Sequence, residues 1–268
     1  MRIALGIEYD GAAFQGWQSQ PHGQTVQDHL EHALSMVAAT PITVVCAGRT
    51  DTGVHGLGQV AHFDTLVERP RNAWVRGVNA HLPGSVAVRW AAEVDERFHA
   101  RFSATSRHYR YVLFNSPTRP AIFRGKVGWH HAPLDEAAMR EAAGHLVGEH
   151  DFSSFRSSEC QAKTPIKRLI EVRVARVGQC VVFDVHGTAF LHHMVRNMVG
   201  ALVEVGRGVR APEWLKTLLE ARDRTQGPPT FAPDGLYLTG VEYDLPQGAR
   251  WQLPQNGRII APLPSFSA

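Results

Sequence analysis

Apolar and polar residues alternate from Arg2 to Tyr9 in a way that predicts a strand. Thr25-Val26-Gln27-Asp28 then reads as a capped helix start, with Val26, Leu30, Leu34 and Val37 recurring behind it at helical spacing. Two more strands are predicted over Ile42 to Cys46 and Gln59 to Phe63, on either side of a glycine-rich loop. A helix over Pro70 to Leu82 and a strand over Ser85 to Val94 complete a β-α-β-β-α-β order.

The rest of the chain repeats that order without repeating the sequence. A strand is predicted over His108 to Phe114, a helix over Leu134 to Val147 with Leu134, Ala138, Ala142 and Leu146 on its apolar side, and strands over Leu169 to Val177 and Cys180 to Val185. A helix from His192 to Val205, an extra one from Pro212 to Ala221 with proline at its start, and a strand from Leu236 to Tyr243 follow. The expected fold is α+β, built from two tandem ferredoxin-like units over residues 1–100 and 101–245 with a tail at 246–268.

Composition narrows the class. A chain of 268 residues that is 44% hydrophobic and 20% charged is neither disordered nor collagen-like, and it is long enough for a sizeable core and a cleft. Cys46, Cys160 and Cys180 are odd in number and widely spaced, so they read as reduced thiols. Glu8 falls too early for a secretory leader, and no apolar run reaches the ~18 residues of a membrane span. A soluble, cytoplasmic protein with no membrane association is expected. There is no G-x-G-x-x-G, no phosphate-binding G-x-x-x-x-G-K-[ST], no G-x-S-x-G and no HExxH or zinc-ligand spacing. No nucleotide cofactor, no other cofactor and no metal are therefore expected.

The net charge of +3 conceals a strong asymmetry. Residues 1–96 carry −4, residues 97–134 carry +7 and residues 135–268 balance. The middle segment has no acid; its bases are Arg97, Arg101, Arg107, Arg110, Arg119, Arg124 and Lys126, interleaved with Phe98, Phe102, Tyr109, Tyr111, Phe114, Phe123 and Trp129. That mixture suits phosphate pairing and base stacking, although a strand with inward aromatics and a solvated arginine face would give the same pattern.

The densest polar cluster is Ala47-Gly48-Arg49-Thr50-Asp51-Thr52-Gly53-Val54-His55-Gly56, placed between two apolar strands. Asp51 there is either a turn-capping residue or a carboxylate nucleophile or base. As a nucleophile in a partly dry site it needs a cation to stay ionised, and Arg196 is a candidate. Arg196 lies off the Met194, Met198, Ala201, Val205 stripe, near the amino-terminal turn of its helix, where a cation opposes the helix dipole. A solvent-facing arginine is the alternative.

These residues carry a resemblance to the tRNA pseudouridine synthase family that acts on the anticodon arm. Gly48-Arg49-Thr50-Asp51 followed by Gly53-Val54-His55 is similar to the family's catalytic loop, and Phe98-His99-Ala100-Arg101-Phe102-Ser103-Ala104 with Arg107-His108-Tyr109-Arg110-Tyr111 resembles its second hallmark. Phe190 to Gly200 resembles the third, with further likeness at Asp151-Phe152-Ser153-Ser154-Phe155 and Gly235-Leu236-Tyr237-Leu238, so that roughly residues 1–245 are covered. Thr52 stands where the family more usually has alanine.

The resemblance implies the pseudouridine synthase fold, with the two units' sheets side by side and a cleft between them. It implies isomerisation of uridine to pseudouridine at three adjacent positions on the 3′ side of the anticodon stem-loop, tRNA positions 38, 39 and 40, by a homodimer that holds tRNA across both subunits. Asp51 matches the nucleophile, Tyr109 the tyrosine that stacks on the target base and helps move a proton, and Arg196 the arginine paired with the carboxylate. Arg49 matches the loop arginine that flips or holds the nucleotide; Arg101, Arg107, Arg110 and His55 are the further expected tRNA contacts. Two other classes compete: a catalytically silent RNA-binding protein with tandem RNA-recognition-type sheets, and a metal-dependent nuclease using Asp51, His55 and His192 or His193.

Overall fold

The computed structural model describes residues 1–244, and the expected tail at 246–268 lies outside the described residues. Two compact units divide the described residues, one comprising Met1–Thr105 together with residues 237–244, the other Ser106–Leu236.

In the first unit, β1 (Arg2–Tyr9) leads through a short 3-10 turn to α1 (Val26–Ala38), β2 (Val45–Cys46), β3 (His55–Asp64) and β4 (Val86–Val94). β1 pairs antiparallel with both β3 and β4, and β2 pairs antiparallel with β3, giving the ferredoxin-like order β4-β1-β3-β2. The Thr25 side chain accepts the Asp28 amide while Asp28 returns a bond to the Thr25 amide, so the capping box satisfies two helix-end donors and starts α1 where the pattern places it. Behind that cap Val26, Leu30, Ala33 and Leu34 are buried against Ile3, Leu5, Ile7, Phe63 and Trp74. Removing any of these large side chains from water contributes about 1.5–3 kcal/mol, which holds the helix on the sheet.

Three elements of the first unit differ from the expectation, the first being β2, which covers only Val45–Cys46 of Ile42 to Cys46. Over Pro70 to Leu82 the helix is short, a π-helical turn at Ala73–Gly77 continued through Asn79, and side chains at its two ends are bonded to the sheet: Asn79 donates to and accepts from Val88 backbone at 2.8 and 2.7 Å, and Arg71 Nε donates to Ala91 O at 2.6 Å. β3 begins four residues earlier than the pattern suggests, at His55, and includes Gly56 and Gly58. A Cβ on Gly56 would enter the Tyr9 ring and one on Gly58 the Thr239 carbonyl, so the strand there depends on residues that ordinarily weaken strands.

The second unit contains β5 (Ala104–Asn115, from Ser106 on), β6 (Gly128–His130), α2 (Glu136–Gly144), β7 (Gly148–Asp151), β8 (Ile166–Val177), β9 (Cys180–Gly187), α3 (Met194–Gly206) and α4 (Trp214–Ala221). β5, β9, β8 and β7 follow one another as antiparallel neighbours, and β6 runs parallel beside β5. The short strands β6 and β7 carry too few residues for an alternating pattern to reveal them. Tyr111, Leu113, Val181, Phe183 and Val185 share the buried face of this sheet, and α3 is buried almost all round. β10 (Leu236–Tyr243) starts in the second unit and from Tyr237 on counts with the first, where Tyr237 and Leu238 run parallel to His55 and Gly56. Among the described residues no helix is long and apolar enough to cross a membrane.

Candidate active site

The loop carrying Asp51 joins β2 to β3 and is held from below by buried polar groups. Thr50 is buried, and its hydroxyl lies 2.8 Å from the hydroxyl of Tyr9, the last residue of β1. Gln59, fully buried in β3, donates to Gly48 O at 2.7 Å and to the Tyr9 hydroxyl at 3.4 Å. The Thr50 carbonyl accepts the Trp17 amide at 3.0 Å. These bonds fix the backbone on both sides of Arg49 and leave Asp51 half-buried and Arg49 exposed.

Asp51 itself opens a tight turn, with the Val54 amide donating to its carbonyl at 3.1 Å and Gly53 at φ +82°, a backbone conformation that side chains resist. Gly11 packs beneath, so close that a Cβ would collide with the Val54 carbonyl. His55 is 1% exposed. Its Nδ1 accepts the Gly11 amide at 3.0 Å and its ring stacks on Tyr237 at 4.6 Å. The Asp10 carboxylate lies 3.1 Å from the same nitrogen. His55, expected at the substrate, is thus placed under the loop, where it holds the 3-10 turn against it. Thr52 is exposed on the turn.

Arg101 belongs to the same unit. Burial pushes the Cys46 thiol up to about 12, and the charges of Arg49 and then Arg101 oppose that shift. Arg101 and Phe102 are exposed on the segment between β4 and β5.

Tyr109 and Arg196 belong to the second unit. Tyr109 lies opposite Val185 at the end of the buried face of β5 and meets Phe190 edge to face at 4.9 Å, which sets its ring plane. Arg107 Nη1 donates to Thr188 O at 3.0 Å. Arg110 points to the opposite face and grips Asp184 through two bonds of 2.6 and 3.0 Å, while His108 stacks on His186. The structure therefore separates Arg110 from Tyr109: β-strand alternation sends the two side chains to different faces, and a carboxylate already satisfies the guanidinium. That face carries an ion pair and a histidine stack in place of the aromatic row that an RNA-recognition-type sheet presents.

Arg196 is in the first turn of α3, and its Nε donates to Phe231 O at 2.8 Å. The next residue, Asn197, is 2% exposed, donates to Phe155 O at 2.8 Å and accepts from Arg224 Nη2 at 3.1 Å. Arg224 also donates to Pro228 O at 2.7 Å. The segments around Phe155, Asn197 and Phe231, distant in sequence, form one bonded frame around the helix start. Tyr9, Gln59, Gly11 and Asn197 escaped the sequence reading; the available signal was a polar residue, Gln59 or Asn197, inside an otherwise apolar element, which must be satisfied when buried.

A family model described as tRNA pseudouridine synthase matches residues 6–103 and 142–244. The chain is 60% identical over 260 residues to the tRNA pseudouridine synthase A of Aromatoleum aromaticum, covering 97% of both chains. It is 57% identical over 254 residues to that of Dechloromonas aromatica, covering 95% of both. With the tRNA pseudouridine synthase A of Chromobacterium violaceum it shares 62% identity over 244 residues, covering 91% of this chain and 93% of the relative.

Proposed function

The chain belongs to the tRNA pseudouridine synthase family; it isomerises uridine to pseudouridine in the anticodon arm of tRNA, and we propose that Asp51 is the nucleophile, at three adjacent positions on the 3′ side of that arm. The observation that carries the assignment of Asp51 is the loop itself: a half-buried carboxylate on a turn whose backbone is fixed by the buried Tyr9, Thr50 and Gln59.

The reaction breaks the bond between the ribose carbon and uracil nitrogen, turns the base and joins it through carbon, so no atom is gained and no electron is transferred. It needs a nucleophile, a proton acceptor and a site that holds the detached base. Asp51 adds to the substrate and later leaves. Tyr109 stacks on the target uracil and assists removal of the C5 proton. Extruding the uridine costs a few kcal/mol, and stacking on Tyr109 offsets about 1–3 kcal/mol of that. Arg196 pairs with Asp51 and orients it, and the bond from its Nε to Phe231 O supports that role by restricting the guanidinium. Arg49 and Arg101 hold phosphate or the flipped nucleotide, with Arg107 beside Tyr109. The enzyme works in the cytoplasm as a homodimer; Ile122, Ile166 and Ile170 are exposed apolar residues of the second unit that a partner copy can cover.

The test is tritium release from tRNA labelled at uracil C5, with EDTA present. The wild type releases tritium, and Asp51→Asn binds tRNA with unchanged affinity but releases none. Activity in Asp51→Asn, or dependence of the wild type on a metal that EDTA removes, would overturn the assignment.

A further inference from the structure

Arg224, in the second unit, is a half-buried guanidinium whose acceptors are all uncharged. Its Nη2 donates to Pro228 O at 2.7 Å and to Asn197 Oδ1 at 3.1 Å, with a longer contact to Thr230 Oγ1 at 3.4 Å. Burial pushes its pKa down. A cation drawn partly out of water toward neutral partners is costly to stability, so stability alone does not explain it. What the side chain does is join three segments. Its own 3-10 turn, Arg224–Gln226, is seated on another: the Asp223 carboxylate accepts the Thr225 amide and hydroxyl at 2.9 and 2.7 Å, and the Asp223 amide donates to the buried Ser154 hydroxyl at 2.9 Å. The chain that follows has little of its own to hold it, since Pro228 and Pro229 lack an amide hydrogen and residues 227–235 form neither helix nor strand. Arg224 fixes this strap at Pro228 and Thr230. Tyr111 fixes it downstream, its hydroxyl donating to Ala232 O at 2.9 Å and its ring meeting Phe231 edge to face at 5.8 Å. Between those two anchors lies the Phe231 carbonyl that accepts Arg196 Nε.

We infer that Arg224 is a positioning residue for the isomerisation, acting through Arg196. By its bond to Asn197 it fixes the first turn of α3, from which the Arg196 side chain springs, and by its bonds to Pro228 and Thr230 it fixes the strap whose carbonyl the Arg196 guanidinium meets. One guanidinium thus sets both ends of another. Asn197 is itself held from the far side, donating to Phe155 O at 2.8 Å, so the helix start cannot follow a shift of the strap. The planar group suits this use because its donors have fixed directions; a lysine ammonium on its flexible stem keeps the charge without keeping the direction.

The inference rests on the proposed pairing of Arg196 with Asp51, and the test separates the two. Arg224→Lys, Arg196→Met and the double variant are compared in single-turnover tritium release and in equilibrium tRNA binding. Hydrogen exchange of the Arg196 Nε–H is followed by ¹⁵N NMR, its signal assigned by its loss in Arg196→Met. Arg224→Lys is expected to bind tRNA with wild-type affinity, to release tritium about 10-fold more slowly, and to exchange the Arg196 Nε–H at least about 10-fold faster. The double variant is expected to be as slow as Arg196→Met alone, because Arg224 acts through Arg196; a general loosening of the unit would instead multiply the two losses. Arg224→Gln carries the same test if the lysine variant does not fold. Wild-type release in Arg224→Lys, multiplied losses in the double variant or unchanged Nε–H exchange would overturn the role. If Arg196→Met releases tritium as the wild type does, the pairing with Asp51 fails, while the Nε–H exchange still decides whether Arg224 holds the Arg196 side chain.

Discussion

The hydroxyls of Tyr9 and Thr50 lie 2.8 Å apart in the buried floor of the first unit, tying the end of β1 to the residue before Asp51. Gln59 joins the same pair and also holds Gly48. Removing the Tyr9 hydroxyl leaves buried polar atoms short of a partner, at about 1–3 kcal/mol, and releases the backbone that aims Asp51. Tyr9→Phe is thus expected to lose that much stability in urea denaturation and to show a lower kcat with little change in KM. Wild-type stability and kcat in this variant would remove the floor from the account.

His62 clamps the segment before β5. Its Nδ1 accepts the Ala100 amide while the Val45 backbone lies at its other side, a pairing that requires a neutral ring. Burial first, then Arg2 and His99, push its pKa down from 6.5 to about 4. Between those values the unfolded chain binds a proton that the folded chain refuses, so this contribution is complete above about pH 6.5 and is lost as pH falls toward 4, up to about 3 kcal/mol. His99 is shifted in the same direction, chiefly by burial. The urea midpoint of the wild type is expected to fall from pH 7 to pH 4.5 more steeply than that of His62→Asn, which does not titrate; parallel curves would refute the clamp.

Arg110 and Asp184 make a two-bond ion pair on the face of β5 away from Tyr109. Partly exposed pairs of this kind contribute about 0–1 kcal/mol. Arg110→Gln is therefore expected to leave the salt slope of tRNA binding unchanged, whereas Arg101→Gln lowers it by about one phosphate contact. A reduced slope in Arg110→Gln would return that side chain to the RNA.

Local rules were enough wherever the chain makes its own structure. Thr25 with Asp28 announces α1, and the strand expected from Leu236 to Tyr243 is found over those residues. The shortfalls are long-range. Gly56 and Gly58 look like loop residues until the Tyr9 ring and the Thr239 carbonyl come against them, and the helix expected over Pro70 to Leu82 is shorter, at residues 73–79, with the Arg71 and Asn79 side chains bonded to β4. The same holds at the site. Asp51 is visible as the acid in a polar loop between apolar strands, but Tyr9, Gln59 and Gly11 are visible only once distant strands are side by side. Arg110 misleads for a related reason: its charge is legible, while the Asp184 that neutralises it sits 74 residues away.

The geometry of Arg196 separates a positioned guanidinium from a mere positive charge. Its Nε donates to Phe231 O at 2.8 Å, which fixes the plane of a guanidinium whose fork is shaped for a carboxylate. A lysine at the same point has one ammonium and no second anchor, so it keeps the charge and loses the orientation. Under the proposed pairing with Asp51, Arg196→Lys is expected to bind tRNA with wild-type affinity and to lose about 10²-fold in single-turnover tritium release, the loss that a misplacement of roughly 1 Å produces. Arg196→Met should lose more, because the carboxylate then has no cation. Near-wild-type turnover in Arg196→Lys would mean that charge alone suffices and that the fork anchored on Phe231 plays no part in aiming Asp51.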